Sequence, residues 1–219
     1  MLDIDKEIEF LNKEISKAEK YEVPFLIIIS GNPGSGKTLL AWNLSEYLKI
    51  VCLSNDYIRN KIYQSGIQKN EKTRIEVEKL VKEIAYKRIE KLFSSRTSFV
   101  YDMNVNNENQ LDEWKKYASE NNYKLIKIKI NSKDIDNIKR IEERKLDYNK
   151  NNNLVIGDNV FYGNSFKEEE YFNIKDRKPL ELTDNDFDYI IDNNMSKEEY
   201  LEKIINIVEN IRLKMLTKQ

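Results

Sequence analysis

The stretch LIIISGNPGSGKTLLAWNL, from Leu26 to Leu44, decides the fold that we expect for this chain. Its first part is a short apolar run rich in isoleucine, which favours a strand buried on both faces. Its last part has leucines four residues apart, which is typical of one face of a helix. Between them lies GNPGSGKT. The sequence therefore predicts a buried strand, a glycine-rich loop and a helix, in that order.

The loop fits the pattern G-x-x-x-x-G-K-[ST] through Gly31, Gly36, Lys37 and Thr38. In such a loop the backbone N–H groups turn inward, and the amino terminus of the helix adds a partial positive charge, so that phosphate binds there. The lysine reaches the β- and γ-phosphates and the threonine hydroxyl contacts Mg²⁺. We expect ATP and Mg²⁺ as cofactors. The predicted nucleotide-binding residues are Gly31, Asn32, Pro33, Gly34, Ser35, Gly36, Lys37, Thr38 and Leu39.

The rest of the chain alternates apolar runs with amphipathic segments. The further strand candidates are IVCLS, SFVYDMN, YKLIKIKI and DYIIDN. This alternation predicts an α/β fold, a three-layer sandwich around a mostly parallel five-stranded sheet. The run YKLIKIKI alternates enough to predict either one wetter face or an edge position. A helical pattern over residues 2–20 predicts an extra leading helix that packs outside the core.

We expect one domain over residues 1–219. Its parts are a leading helix (1–22), a core (23–147), a lid or substrate-binding insertion (148–180), and a last strand with a closing helix (181–219). The insertion is too long and too polar for a simple connection, and loops of that kind are often functional lids or disordered.

Composition limits the chemistry. The 219 residues include 37 basic and 38 acidic side chains, a net charge of −1, so the surface as a whole does not attract nucleic acid or an anionic membrane. Histidine is absent, which leaves carboxylates, lysines, tyrosines or water for acid–base work. The only cysteine, Cys52, lies in an apolar run and is expected to be buried. The acidic amino terminus and the short apolar runs predict a soluble cytoplasmic protein without membrane spans.

Two carboxylates follow predicted strands, where a parallel sheet faces its ligand crevice. Asp102 ends the third strand and is a candidate Mg²⁺ partner beside Thr38; the alternative is a cap for the next turn. Asp56 follows the second strand and is a candidate base for an acceptor hydroxyl; the alternative is a helix cap. Arg59, three residues later, would grip an anionic acceptor or form a surface ion pair.

The segments SGNPGSGKTLLAWNLSEYL, VCLSNDYIRNKIY and FVYDMNVNN together resemble the small P-loop kinases related to polynucleotide kinases, often labelled AAA-type ATP-binding domains. The resemblance covers Phe25–Ile130. It implies that Lys37 and Thr38 serve ATP and Mg²⁺, that Asp56 activates the acceptor hydroxyl, and that Arg59 binds the acceptor. The loop and NDY also resemble zeta-type toxins, which phosphorylate nucleotide sugars, but those toxins have a glutamate where YDMNVN stands here.

Kinases of this group carry lid arginines that close on the triphosphate. The segment IKRIEERKLDYNK supplies Arg140 and Arg144 on one helical face, and we expect one of them, Arg144 before Arg140, to stabilise the transferring phosphoryl group. Arg177 is a third candidate. The alternative is a solvated helix in which these arginines pair with neighbouring glutamates.

The predicted function is transfer of the γ-phosphoryl group of ATP to a hydroxyl on a polynucleotide 5′ end, a nucleoside or a small metabolite. A single-stranded nucleic-acid end is therefore one expected partner. The alternatives are a nucleotide-sugar kinase, as in zeta-type toxins, and an ATP-binding or ATP-hydrolysing regulatory module without an acceptor.

Overall fold

The computed structural model describes the backbone of residues 4–65, 67, 71–105, 107–151, 153–156, 159–162 and 182–216. Side chains are described for residues 7–65, 67, 73–105, 107–143 and 182–215. The helices are α1 (Ile4–Lys17), α2 (Lys37–Leu48), α3 (Asn55–Gln64), α4 (Glu71–Ser94), α5 (Glu108–Glu120), α6 (Asp134–Asn151) and α7 (Lys197–Leu216). The strands are β1 (Phe25–Gly31), β2 (Val51–Ser54), β3 (Phe99–Asp102), β4 (Lys124–Asn131), β5 (Asn153–Ile156), β6 (Asn159–Tyr162) and β7 (Tyr189–Asp192).

Five strands form one parallel sheet in the order β2-β3-β1-β4-β7. This confirms the predicted α/β class and the five-stranded sheet. Strand β1 lies at the centre and is buried along its whole length, as its isoleucine-rich sequence predicts. Strand β4 pairs with β1 and β7 and is therefore an inner strand. Its alternating pattern reflects one wetter face and not an edge position.

Two apolar layers cover the sheet. On one face, side chains from α1, α3, α4 and α5 form one core cluster, represented by Leu11, Ile58, Ile84 and Leu111. On the other face, α2 and α7 form the second cluster. Leu11 is fully buried, so α1 belongs to the packed layer and does not lie outside the core as the sequence analysis expected. Cys52 is buried, as expected.

The insertion contributes a short antiparallel pair of strands, β5 and β6, that is separate from the main sheet. Strand β6 lies against α3. Residues 148–151 of the predicted lid belong to α6, and the remainder, including Arg177, lies outside the described residues. Within the described ranges, every helix is too short or too polar to cross a membrane.

Candidate nucleotide-binding site

The loop between β1 and α2 has a backbone that only glycine adopts easily. Gly34 and Gly36 have φ angles of +79° and +102°. A Cβ atom at Gly34 would lie 2.6 Å from the backbone oxygen of Asn137 on α6, and one at Gly36 would lie 2.9 Å from the side-chain nitrogen of Asn193. Positive φ and close neighbours therefore both require glycine at these two positions.

Lys37 is the first residue of α2 and its side chain folds back over the loop. Its ammonium group donates to the carbonyl oxygens of Gly31, at 2.8 Å, and of Asn32, at 2.9 Å. The charge of Lys37 thus lies beside the amino terminus of α2, where the helix dipole is also positive. This concentration of positive potential suits a phosphate group.

Side chains that are distant in sequence fix the outer part of the loop. The side-chain amide of Asn193 donates to the carbonyl oxygen of Ser35 at 2.7 Å, across 158 residues. The hydroxyl of Tyr200 donates to the carbonyl oxygen of Gly36 at 3.2 Å, across 164 residues. Both side chains are buried. The sequence analysis missed them because no local pattern links a residue near the carboxyl end to the loop.

The structure brings together the two predicted metal partners. The hydroxyl of Thr38 donates to the carboxylate of Asp102, and the hydroxyl of Ser54 donates to the same carboxylate at 3.4 Å. Burial raises the pKa of Asp102 to about 6; the charge of Asp56 adds to the rise, while Thr38, Lys37 and Ser54 oppose it. A carboxylate that is costly to ionise here is one that a divalent cation would stabilise.

Asp56 lies in the first turn of α3, just past the carboxyl end of β2. The helix is capped by Ser54, whose hydroxyl accepts from the backbone N–H of Tyr57. The alternative role of Asp56 as the helix cap is therefore wrong. Its side chain is 69% exposed, so it is open to an incoming group. Its charge also raises the pKa of Asp102, so the two carboxylates lie close enough to interact.

Arg59 joins Asp56 to a carboxylate that the sequence analysis did not identify. Its guanidinium donates to Asp56 and makes two bonds to Glu78 on α4, at 2.6 and 3.1 Å. Burial lowers the pKa of Arg59, but the bonds that Arg59 donates to Glu78 and Asp56, with the charges of those carboxylates, have the larger effect. The pKa of Arg59 is therefore raised. The same bond lowers the pKa of Glu78. Arg59 thus orients Asp56 from a fixed position. The binding of an acceptor by Arg59 remains a prediction.

Arg140 lies on α6 and contacts the same region of the loop. It donates to the backbone oxygen of Asn193 at 2.7 Å and to the side-chain oxygen of Asn137 at 3.5 Å. The side chain of Asn32 in turn donates to Asp134 at the start of α6 at 3.2 Å. Arg140 is therefore adjacent to the residues that hold the loop. The side chain of Arg144, the preferred candidate, lies outside the described residues.

The loop between the central strand and α2 is rich in glycine and is followed by a lysine and a threonine. The threonine bonds an aspartate on the neighbouring strand. This arrangement defines a P-loop nucleotide-binding protein. Residues 26–155 match the AAA domain family described by the AAA_33 model, and the chain belongs to this family. No curated protein sequence matches the chain.

Solved structures with the same fold span nearly the whole chain. A candidate kinase from Chloroflexus aurantiacus superposes with a TM-score of 0.64 at 17% identity, covering 90% of this chain and 100% of that one. A chain of the PezAT chromosomal toxin–antitoxin system of Streptococcus pneumoniae gives a TM-score of 0.53 at 13% identity, covering 98% and 95%. At these identities the likeness shows a shared fold.

Proposed function

We propose that this protein is a kinase that transfers the γ-phosphoryl group of ATP, with Mg²⁺, to a hydroxyl acceptor. The observation that carries the proposal is a second carboxylate, Asp56, near Asp102 at the ends of the strands. Its side chain is exposed, and the guanidinium of Arg59 bonds it and fixes its orientation. ATP binding alone needs only the loop and the Thr38–Asp102 pair. An exposed and oriented carboxylate beside them suits the activation of an acceptor hydroxyl.

The residues divide the chemistry among them. The loop N–H groups and Lys37 bind the phosphates, and Thr38 and Asp102 would hold Mg²⁺, which neutralises phosphate charge when bound. Asp56 takes the proton of the acceptor hydroxyl and directs its oxygen toward the γ-phosphorus. Arg59 keeps Asp56 in that direction. Arg140, with Arg144 as the preferred candidate on the same helix, stabilises the charge of the transferring group.

The first acceptor that we propose is a polynucleotide 5′-hydroxyl, and a nucleoside or small metabolite comes next. A nucleotide sugar is the second candidate, supported by the fold that the chain shares with a component of the PezAT toxin–antitoxin system.

We further propose that the 219 residues form one domain and that residues 148–180 act as its lid. The position of β6 against α3 supports the lid. We also propose that the protein works in the cytoplasm.

The replacement Asp56→Asn tests the role of the base. We expect transfer to the acceptor to fall by about 100-fold or more, because a positioned general base contributes about 10²–10⁴-fold to such a step. ATP affinity, measured by calorimetry, should stay within about twofold, since the phosphate-binding loop is unchanged. A radiolabelled γ-phosphate assay with a panel of 5′-hydroxyl oligonucleotides, nucleosides, nucleotide sugars and sugars measures transfer.

Asp112→Asn is the matched control, since Asp112 is an exposed aspartate on α5 that pairs only with the nearby Lys115 in the described contacts. It should transfer like the wild type. Full transfer by Asp56→Asn would disprove the assignment of the base. Release of free phosphate by the wild type, unchanged by every acceptor, would favour the regulatory ATPase instead.

A further inference from the structure

Four charged side chains from three helices form one connected cluster. Arg88 on α4 is 1% exposed and donates to Glu14 on α1 at 2.7 Å. Glu7, two turns before Glu14 on the same face of α1, lies 3.5 Å from the same guanidinium. The other oxygen of Glu7 accepts from Lys61 on α3 at 3.1 Å. Glu7 is therefore shared between a buried arginine and the helix that carries Asp56.

Burial makes this cluster a rigid connection. An unpaired charge in a protein interior costs several kcal/mol, so α1 cannot separate from α4 without leaving Arg88 unpaired. Burial also raises the pKa of Glu14, although Arg88 opposes the shift. The side chain of Leu11, fully buried between these glutamates, fixes α1 from its apolar face. Helices α1 and α4 thus form a fixed frame.

Helix α3 depends on its contacts for its position. It has ten residues, and isolated helices of fewer than about 12 residues are marginal in water. Ile58 and Ile62 hold its inner face in the core. On the side toward α1, the ammonium of Lys61 bonds Glu7 and lies over the ring of Phe10, 4.1 Å from its centroid.

The same ammonium reaches the residue next to the candidate base. Lys61 lies 4.7 Å from the ring centroid of Tyr57, which follows Asp56 in the chain. The Tyr57 ring in turn meets the ring of Trp42 on α2 edge-on, with centroids 6.3 Å apart. A connection therefore runs from α1 through the first turns of α3 to the helix that begins at the phosphate-binding loop.

We propose that Lys61 is a positioning residue: its ion pair with Glu7 holds α3 against the α1–α4 frame and so sets the position of Asp56 relative to the γ-phosphate. This inference rests on the proposed function of Asp56. Because the alignment of reacting groups within about 1 Å can change a rate by about 100-fold, a small shift of α3 is enough to slow transfer.

The test uses Lys61→Met, which keeps the aliphatic stem and removes the ammonium, while Glu7 retains Arg88 as its partner. We expect kcat for phosphoryl transfer to fall by about tenfold, with KM for ATP within about twofold of the wild type, since α3 does not bind the phosphates. Lys61→Arg restores a cation and should recover most of kcat. Lys87→Met, which removes one partner of an exposed pair on α4, is the matched control and should leave kcat unchanged.

A second measurement reports the position of α3 directly. The chain has two tryptophans, so Trp114→Phe leaves Trp42, beside Tyr57, as the single tryptophan. In that background Lys61→Met should shift the emission of Trp42, and Lys61→Arg should reverse the shift. An unchanged kcat or an unchanged emission in Lys61→Met would overturn the inference. A wild type that phosphorylates no acceptor would instead overturn the proposed function, and that result is seen before any variant is made.

Discussion

The environment of Asp102 conflicts with the charge of its carboxylate. Its pKa is raised to about 6 by burial, against an ordinary value of 3.8. The native state therefore binds a proton more tightly than the unfolded chain between about pH 4 and pH 6, and this group lowers the stability of the native state as the pH rises through that range. Above about pH 6 this loss of stability no longer changes with pH. The Mg²⁺ site that we propose at Asp102 would account for an ionisable group at this position.

Asp102→Asn should stabilise the metal-free protein and damage its function. At pH 7.5 we expect the free energy of unfolding to rise by about 1–2 kcal/mol, which is less than the full pKa shift implies because the Asp102 side chain keeps some contact with solvent. The advantage over the wild type should grow from pH 4 to pH 6 and then stay level. Urea unfolding at several pH values measures it, and a constant difference over the whole range would contradict the assigned titration.

The proposed Mg²⁺ site at the same carboxylate predicts a metal affinity that depends on pH. Protons and Mg²⁺ compete for Asp102, so the affinity of the protein for Mg²⁺ in the presence of ATP should weaken below about pH 6 in the wild type. Asp102→Asn should show weak binding at every pH. The pKa of one residue thus predicts a measurable weakening of Mg²⁺ binding at low pH.

At the scale of the elements, the phosphate-binding loop is held by the end of β7 and by α7. Asn193→Ala would leave the carbonyl oxygen of Ser35 without the donor that lies 2.7 Å away. It would also remove the side-chain oxygen near Arg140. We expect a loss of about 1–3 kcal/mol in the free energy of unfolding, the usual cost of a buried polar group left unpaired. ATP affinity should fall as well, because the loop loses its support.

Asn210→Ala is the control for this variant. Asn210 is an exposed asparagine on α7 whose amide bonds a backbone oxygen within its own helix. Its replacement should leave both stability and ATP affinity nearly unchanged. Thermal melting with and without ATP and Mg²⁺ separates the two effects, and an Asn193→Ala protein with wild-type ATP affinity would show that β7 does not support the loop.

At the scale of the whole molecule, the site draws on α2, α3, α6 and the ends of β1, β2, β3 and β7. A ligand that binds this arrangement and not the unfolded chain stabilises the fold by mass action, by about 2.7 kcal/mol at a concentration of 100 times its Kd. ATP with Mg²⁺ should therefore raise the Tm of the wild type.

Lys37→Ala should abolish most of that rise, because the ammonium beside the loop is lost while the core is untouched. The measurement is the Tm of each protein over a series of ATP concentrations with Mg²⁺, and again after the metal is removed with a chelator. A chelator that leaves the rise intact would show that the nucleotide binds without a metal ion at the Thr38–Asp102 pair. A Lys37→Ala protein stabilised as much as the wild type would contradict the role of the lysine.

The sequence by itself determined the features that depend on neighbouring residues. The isoleucine-rich run of β1 and the glycine spacing after it predicted a buried strand and a phosphate-binding loop, because burial and positive φ leave direct marks on residue choice. The alternation of apolar runs predicted the parallel sheet. The position of Asp56 and Asp102 after two strands predicted their meeting at one edge, since parallel strands end on the same side.

Only the tertiary structure decided the contacts that join distant segments. Glu78 meets Arg59 from another helix, and Asn193 reaches Ser35 across 158 residues. The cap of α3 is Ser54 and not Asp56, because the chain geometry at the end of β2 aims the serine hydroxyl at the backbone N–H of Tyr57. The burial of Leu11, together with the ion pair between Glu7 and Arg88, places α1 in the packed layer. Such pairs leave no periodic signal in the sequence, since each forms only when packing brings its two segments together.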